Sequence, residues 1–260
     1  MSAQGDNDLL VEKSGAVATV TLNRPDAMNS FNDLLKMAMI KTVGQLNDDP
    51  NIRVVILRGE GRCFSAGADI SAGMADPLSF HLDAQYKPFL TGIAHSDKIW
   101  IAQVHGAAAG IGAAVAMNCD LVVMSEDAYI YMAFAAIGLV PDGGNTQLLL
   151  QYLGYHRALE TILEGRKMPA AECLAAGIAN RVVANDALAS QTEDWANTLS
   201  NTAPLALASA KRLLRQVGRM SYGDAITAEG VEQTPLLRSA DFVEGVQAFF
   251  QKRQPKWSGK

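Results

Sequence analysis

The 260-residue chain has little of what would tie it to a special environment. Its three cysteines, Cys63, Cys119 and Cys173, are scattered without CxxC or Cys/His spacing, which argues against a disulfide framework and against a zinc site. No bound metal and a reducing compartment are the expectation. Charged residues make up only 19% and the net charge is -5, so overall charge gives a polyanion no attraction, and no nucleic-acid partner is expected. No apolar run approaches the ~20 residues that span a bilayer. The opening MSAQGDNDLL has neither a cationic start nor an apolar h-region, so the expected location is the cytoplasm, without membrane attachment. What the chain does have is 49% hydrophobic residues, enough for one large core without staples.

The order of periodic segments reads as an α/β protein. Residues 9–13 and 16–22 form a hairpin across Ser14-Gly15, and Asn23-Arg24-Pro25-Asp26 breaks it. Ser30 with Asp33 resembles a capping box that opens a helix over 30–47, with Leu35, Met39, Val43 and Leu46 on one face. RVVILR at 53–58 suits a strand buried on both sides. Residues 71–81 read as irregular and mobile. A helix follows at about 80–95, then a buried strand at 99–104 and a short strand at 128–132. Helices are predicted at 145–152, 155–164 and 170–176, and a last strand at 178–183. Beyond about residue 185 only helices remain. Phe242, Val243, Val246, Phe249 and Phe250 make an amphipathic stripe capped by Ser239, and such a stripe needs a surface to lie on. The chain thus divides into a core over 1–195 and a helical region over 196–260.

Two stretches stand out because they are nearly free of side chains. After the strand ending at His105-Gly106 comes Ala107 to Ala114, where Gly110 and Gly112 bracket Ile111 and a helix begins. Its first amides point, unpaired, toward whatever carries negative charge. About forty residues earlier, Phe64-Ser65-Ala66-Gly67-Ala68-Asp69-Ile70 also follows a strand and also leads into a possible helix, started by Asp69. If the two strands are neighbours, two amides converge on one oxygen. Taken alone, Ala107 to Ala114 reads more readily as a buried alanine-rich helix packed closely on a neighbour.

These residues carry a resemblance. Leu22-Asn23-Arg24-Pro25, Phe64 to Asp69, Val104-His105-Gly106 with Cys119-Asp120, Gly138 to Pro141, and Phe250 to Arg253 with Pro255 are together similar to the crotonase family of enoyl-CoA hydratases and isomerases. The resemblance implies a spiral of ββα turns with a C-terminal helical trimerisation region, assembled as a homotrimer or a hexamer of paired trimers. It implies an acyl-CoA thioester as substrate, so that coenzyme A arrives with the substrate and no cofactor is permanently bound. It assigns the thioester oxygen to the amides of Ala68 and Ile111, and contacts with CoA to Arg24 and the backbone of Ala66, Gly67, Ala68, Asp69 and Ile70.

The departures from the family bear on the reaction. Hydratases of the family use two glutamates to hold and deprotonate water, and the matching positions here are Ala114 and Phe134. Neither accepts a proton. Asp142, between Pro141 and Gly143, matches an acidic position of some double-bond isomerases and ring-modifying phenylacetyl-CoA-type isomerases, and one carboxylate suffices to carry a proton from one carbon to another. Phe64, Met132 and Phe134 are expected to give the pocket apolar walls. The expected reaction is therefore double-bond isomerisation. The alternatives are hydration through Asp142 alone and a weakly catalytic acyl-CoA-binding trimer. By propensity Asp142 is also an ordinary turn residue. His105 reads as a structural histidine, Ser65 as a serine without an activating partner, Cys63 as buried and inert, and Lys252 and Arg253 as solvated helix ends.

Overall fold

A computed structural model describes residues 8–71, 73 and 77–260. Residues 1–7 lie outside the described residues, as do 72 and 74–76 in the stretch read as irregular. The chain opens with β1 (Leu9–Ser14) and β2 (Val17–Leu22), an antiparallel hairpin whose turn glycine, Gly15, has φ +58°. Then come α1 (Asp33–Asp48), β3 (Val54–Gly59), α2 (Leu78–His81), one π turn over Leu82–Tyr86, α3 (Lys87–Ala94) and β4 (Ile99–Val104). The middle of the chain holds β5 (Ala107–Ala109), α4 (Ile111–Asn118), β6 (Leu121–Ser125), β7 (Tyr129–Tyr131), α5 (Asn145–Glu164), β8 (Lys167–Pro169), α6 (Ala170–Ala175) and β9 (Arg181–Val183). Four helices finish it: α7 (Leu188–Ser200), α8 (Pro204–Val217), α9 (Tyr222–Leu236) and α10 (Ala240–Gln251). Among the described residues no helix is long and apolar enough to cross a membrane.

The strands form a larger sheet in the order β1-β2-β3-β4-β6-β9, parallel beyond the hairpin, and a smaller sheet β5-β7-β8. All of β4 is buried because helices cover both faces of the larger sheet. On one side Leu35, Met39 and Val43 of α1 join Phe89 and Ile93 of α3; on the other, Val54, Ile56, Ile101 and Val123 meet Leu188 and Ala196 of α7. Parallel strands sandwiched in this way read as continuous apolar runs, as 53–58 and 99–104 do. α8 is tied to this core by Lys211, whose buried ammonium donates to the carbonyls of Ile93 and Lys98, both at 2.9 Å, and pairs with Asp120 at 2.7 Å. Three oxygens around one ammonium offset the cost of taking it out of water.

Several boundaries differ from the sequence reading. The cap of α1 is Asn32, whose side chain accepts from the Leu35 amide, and not Ser30. Ser30 is taken up instead by Arg24, which donates to its carbonyl, so the helix starts three residues later than predicted. The two helices predicted at 145–152 and 155–164 are as expected: they run end to end within α5 and are separated by the non-helical Gly154 (φ 71°, ψ 170°). Ser239 caps α10 as expected, accepting from the Phe242 amide at 3.0 Å.

Candidate active site

The two glycine-flanked bends lie against each other. Ser65 and Ala108 are paired as in a parallel ladder: the Ser65 amide donates to Ala107 O at 3.0 Å, and the Ala109 amide to Ser65 O at 2.9 Å. Counting three residues onward from this pair leads to Ala68 on one segment and Ile111 on the other, so equal offsets bring the two bends out side by side. Contact is close enough to exclude side chains. A Cβ on Gly67 would stand 2.9 Å from Ala109 O and 3.7 Å from Gly110 Cα, and one on Gly112 would stand 2.8 Å from Ser65 Cβ.

Accounting for the backbone donors shows which ones remain. In the first bend the Ser65 amide goes to Ala107 O, Ala66 to Met28 O, Gly67 to Ser65 Oγ and Asp69 to Phe31 O. In the second, Ala109 donates to Ser65 O, Gly110 to Tyr131 O, and Ala113 and Ala114 to Gly110 O. Among the described residues, the Ala68 amide and those of Ile111 and Gly112 at the start of α4 have no acceptor. Ala68 is exposed, so a ligand can reach this edge. Unpaired amides at a helix start, with a further one beside them, form a site that favours an oxygen carrying negative charge.

The turn that carries Asp142 packs onto the start of α4. Gly143 (φ +63°) is pressed onto α4 so tightly that a Cβ there would lie 2.1 Å from Ile111 Cδ1 and 3.1 Å from Ala114 Cβ. The turn is pinned again by Asn145, whose amide donates to Asp142 O at 3.1 Å and whose Nδ2 donates to Gly110 O at 2.9 Å. Asn145 is fully buried and was not singled out by sequence, where it reads only as the first residue of a helix. The Asp142 carboxyl has one oxygen buried with no hydrogen-bond partner among the described residues. Burial pushes its pKa up from the ordinary aspartate range, and a hydrogen bond from its own backbone offsets this only in part.

Arg24 ties the first bend to the loop before α1. Its guanidinium pairs with Asp69 at 3.1 Å and Asp8 at 3.5 Å and donates to Ser30. No helix starts at Asp69 among the described residues; the carboxylate instead accepts from Ser71 Oγ at 2.6 Å and the Ser71 amide at 3.2 Å, which holds its pKa below the usual range. Two of the three expected pocket walls are elsewhere. Phe64 and Met132 have no exposed surface and belong to the core, since neighbouring apolar side chains enclose both. Phe134 keeps 9% exposure and packs beside Gly110, where a Cβ would lie 3.6 Å from its Cζ. Ala114 is fully buried.

The rival nucleophiles and bases are committed to structure. Ser65 Oγ donates to Asn29 O at 2.8 Å, and His105 Nε2 donates to Gly61 O at 2.8 Å. All three cysteines are buried free thiols; burial raises the pKa of Cys63 and pushes Cys119 and Cys173 up to about 12, the opposite of an activated thiolate. Among the described residues, no cluster of His, Cys, Asp and Glu has the grouping to hold a metal ion.

The chain is similar to known proteins over nearly its whole length. Residues 12–260 match the family model described as enoyl-CoA hydratase/isomerase. The chain is 34% identical over 256 residues to a 1,2-epoxyphenylacetyl-CoA isomerase of Escherichia coli K12, covering 96% of this chain and 97% of that one. It is 31% identical over 254 residues to a 2,3-dehydroadipyl-CoA hydratase of the same organism, covering 98% and 100%. Its fold superposes with a TM-score of 0.93 on the crystal structure of an enoyl-CoA hydratase from Bacillus anthracis, at 28% identity over 97% of this chain and 100% of that one. With the paired bends, the fold and these matches in agreement, the chain belongs to the crotonase family of enoyl-CoA hydratases and isomerases.

Proposed function

We propose that this crotonase moves a carbon–carbon double bond in an enoyl-CoA thioester. The observation that carries the reading is the buried, unpartnered carboxyl oxygen of Asp142, held by Gly143 against Ile111, at a site whose two other candidate acid positions are Ala114 and Phe134. The thioester oxygen rests between the amides of Ala68 and Ile111. Asp142 takes a proton from C2 of a 3-enoyl thioester, the electron pair spreads to the oxygen and along the former double bond, and the same carboxyl returns the proton at C4. The charge that builds on the oxygen is met by fixed amides whose interaction strengthens in the transition state. Arg24 and the backbone of Ala66 to Ile70 meet the CoA moiety, and coenzyme A enters and leaves as part of substrate and product. An isomerase among the relatives, one named for a phenylacetyl-CoA epoxide, supports isomerisation of an acyl-CoA.

The test compares two substrates. A 3-enoyl-CoA is expected to give the conjugated 2-enoyl-CoA, followed by its absorbance, faster than a trans-2-enoyl-CoA gives 3-hydroxyacyl-CoA. Rapid 3-hydroxyacyl-CoA formation that survives Asp142→Ala would make the enzyme a hydratase using other groups.

The same reading assigns the helical region over 196–260 to contact between copies of the chain. In support, Phe249 and Phe250 on α10 are each 78% exposed and Val231 on α9 is 68% exposed, more apolar surface than one copy covers. Light scattering is expected to give a mass of three or six chains, and a monomer at micromolar concentration would contradict it.

A further inference from the structure

A cavity of about 390 Å³ lies between α3 with its preceding π turn and the Gly143-Gly144 turn that directly follows Asp142 in the chain. Leu82, Leu90 and Ala94 give it an apolar lining, and Tyr86, last residue of the π turn, stands in its wall. Single π turns inside helices recur at functional sites because they re-aim one side chain. The Tyr86 ring is fixed between Phe31 and Phe89, at centroid separations of 6.4 and 6.1 Å. Only 6% of its surface is exposed, and its hydroxyl, which keeps some access to solvent, has no hydrogen-bond partner among the described residues.

The other polar groups on this wall are spoken for. Lys87 pairs with Asp83 at 2.9 Å, Thr91 Oγ1 donates to Lys87 O at 2.7 Å, and Asn118 Nδ2 donates to Leu90 O at 2.8 Å. His95 lies at the exposed end of α3. Tyr86 is therefore the uncommitted donor in the cavity wall. It is also held protonated: burial raises its pKa, and the neighbouring carboxylates of Asp142, Asp33 and Asp69 oppose a second negative charge. Lys36, 5.1 Å from the ring centroid, is itself paired with Asp33 at 2.7 Å.

We propose that Tyr86 selects among substrates by donating a hydrogen bond from its hydroxyl to an oxygen on the acyl group, so that the enzyme takes neutral, oxygen-bearing acyl-CoA thioesters. The inference rests on the reading of Asp142 and the paired amides as the reacting centre. It goes further in naming the acyl class: an oxygen placed beyond the reacting carbons, and no terminal carboxylate, which the unpaired carboxylate of Asp142 would repel, Asp33 and Asp69 being paired with Lys36 and Arg24. A donor that a plain hydrocarbon chain would cut off from water without pairing is what makes such a site discriminate.

Calorimetric binding of three saturated, unreactive thioesters tests this without requiring turnover. Wild-type enzyme is expected to bind 6-hydroxyhexanoyl-CoA at least about tenfold tighter than hexanoyl-CoA, and adipyl-CoA more weakly than either. In Tyr86→Phe, which keeps the ring packing, the ratio between the first two is expected to fall to about one. Equal wild-type affinities for hydroxyhexanoyl- and hexanoyl-CoA overturn the proposal whether or not the variant folds. So does a preference that survives Tyr86→Phe, or tightest binding of adipyl-CoA. If the preference is present and the 3-enoyl-CoA is not isomerised, the selection stands and the isomerase reading fails.

Discussion

Asp142→Asn is expected to lower turnover of a 3-enoyl-CoA by ~10²- to 10⁴-fold, the range for loss of a positioned acid–base group, while the protein stays folded and becomes slightly more stable. The amide matches the carboxyl in size, leaves the backbone carbonyl that accepts from Asn145 in place, and cannot take the C2 proton. The stability half follows from the direction of the pKa. A carboxyl whose pKa is higher folded than unfolded favours the folded state below the unfolded value, and that advantage is lost as pH rises through the folded value. Ionised Asp142 therefore subtracts from stability at neutral pH, and asparagine removes the subtraction. In the wild type the basic form does the work, so activity is expected to fall on the acid side through a pKa above the ordinary aspartate value of about 3.9. Steady-state kinetics against pH, with thermal unfolding of both proteins at pH 7, checks each part. A variant that keeps turnover within a factor of two, or melts well below wild type, would return Asp142 to being a turn residue.

How much of this site the sequence reveals depends on the range of the interactions that make it. The two bends are legible because glycine and alanine runs after strands are local signals, and the hairpin, β3, β4 and the break at Gly154 are legible for the same reason. β5 and β8 are not. Ala107–Ala109 has no β propensity of its own and becomes a strand because Tyr129–Tyr131, twenty residues further on, pairs with it. Lys167–Pro169 is likewise a strand only as a partner of β7. Leu121–Ser125 does carry a β-branched run, but only Cys119 and Asp120 separate it from α4, so its signal merges with the helix. Phe64 and Met132 show a different limit: apolar residues near a site look alike in sequence whether they line it or stand behind it. Tyr86 is hidden for a related reason, since an aromatic at helical spacing reads as core, and only the π turn and the empty hydrogen-bonding capacity of its hydroxyl distinguish it.

Gly67→Ala tests the contact on which the oxyanion site depends. Gly67 has φ +103°, and its missing side chain faces the Ala109 carbonyl, so an added methyl meets both a backbone that L-residues rarely adopt and a backbone oxygen at 2.9 Å. That oxygen belongs to β5, held through Ser65 on one side and β7 on the other, and does not yield as a flexible side chain would. Relief must come from moving residues 67 and 68 away from 110 and 111, which parts the amides of Ala68 and Ile111. One amide pulled out of range of the developing oxyanion costs ~10²- to 10³-fold in kcat. Strain at positive φ also lowers stability by ~1 to 3 kcal/mol, and kcat alone would not separate the two effects. Gly15→Ala provides the control. Gly15 has φ +58° with nothing within 4 Å of the added methyl, in a hairpin turn far along the chain from either bend. Its alanine variant is expected to lose stability to a similar degree and to keep kcat. If Gly67→Ala, measured per folded enzyme, retains kcat as Gly15→Ala does, the Ala68 and Ile111 amides do not act together on one oxygen.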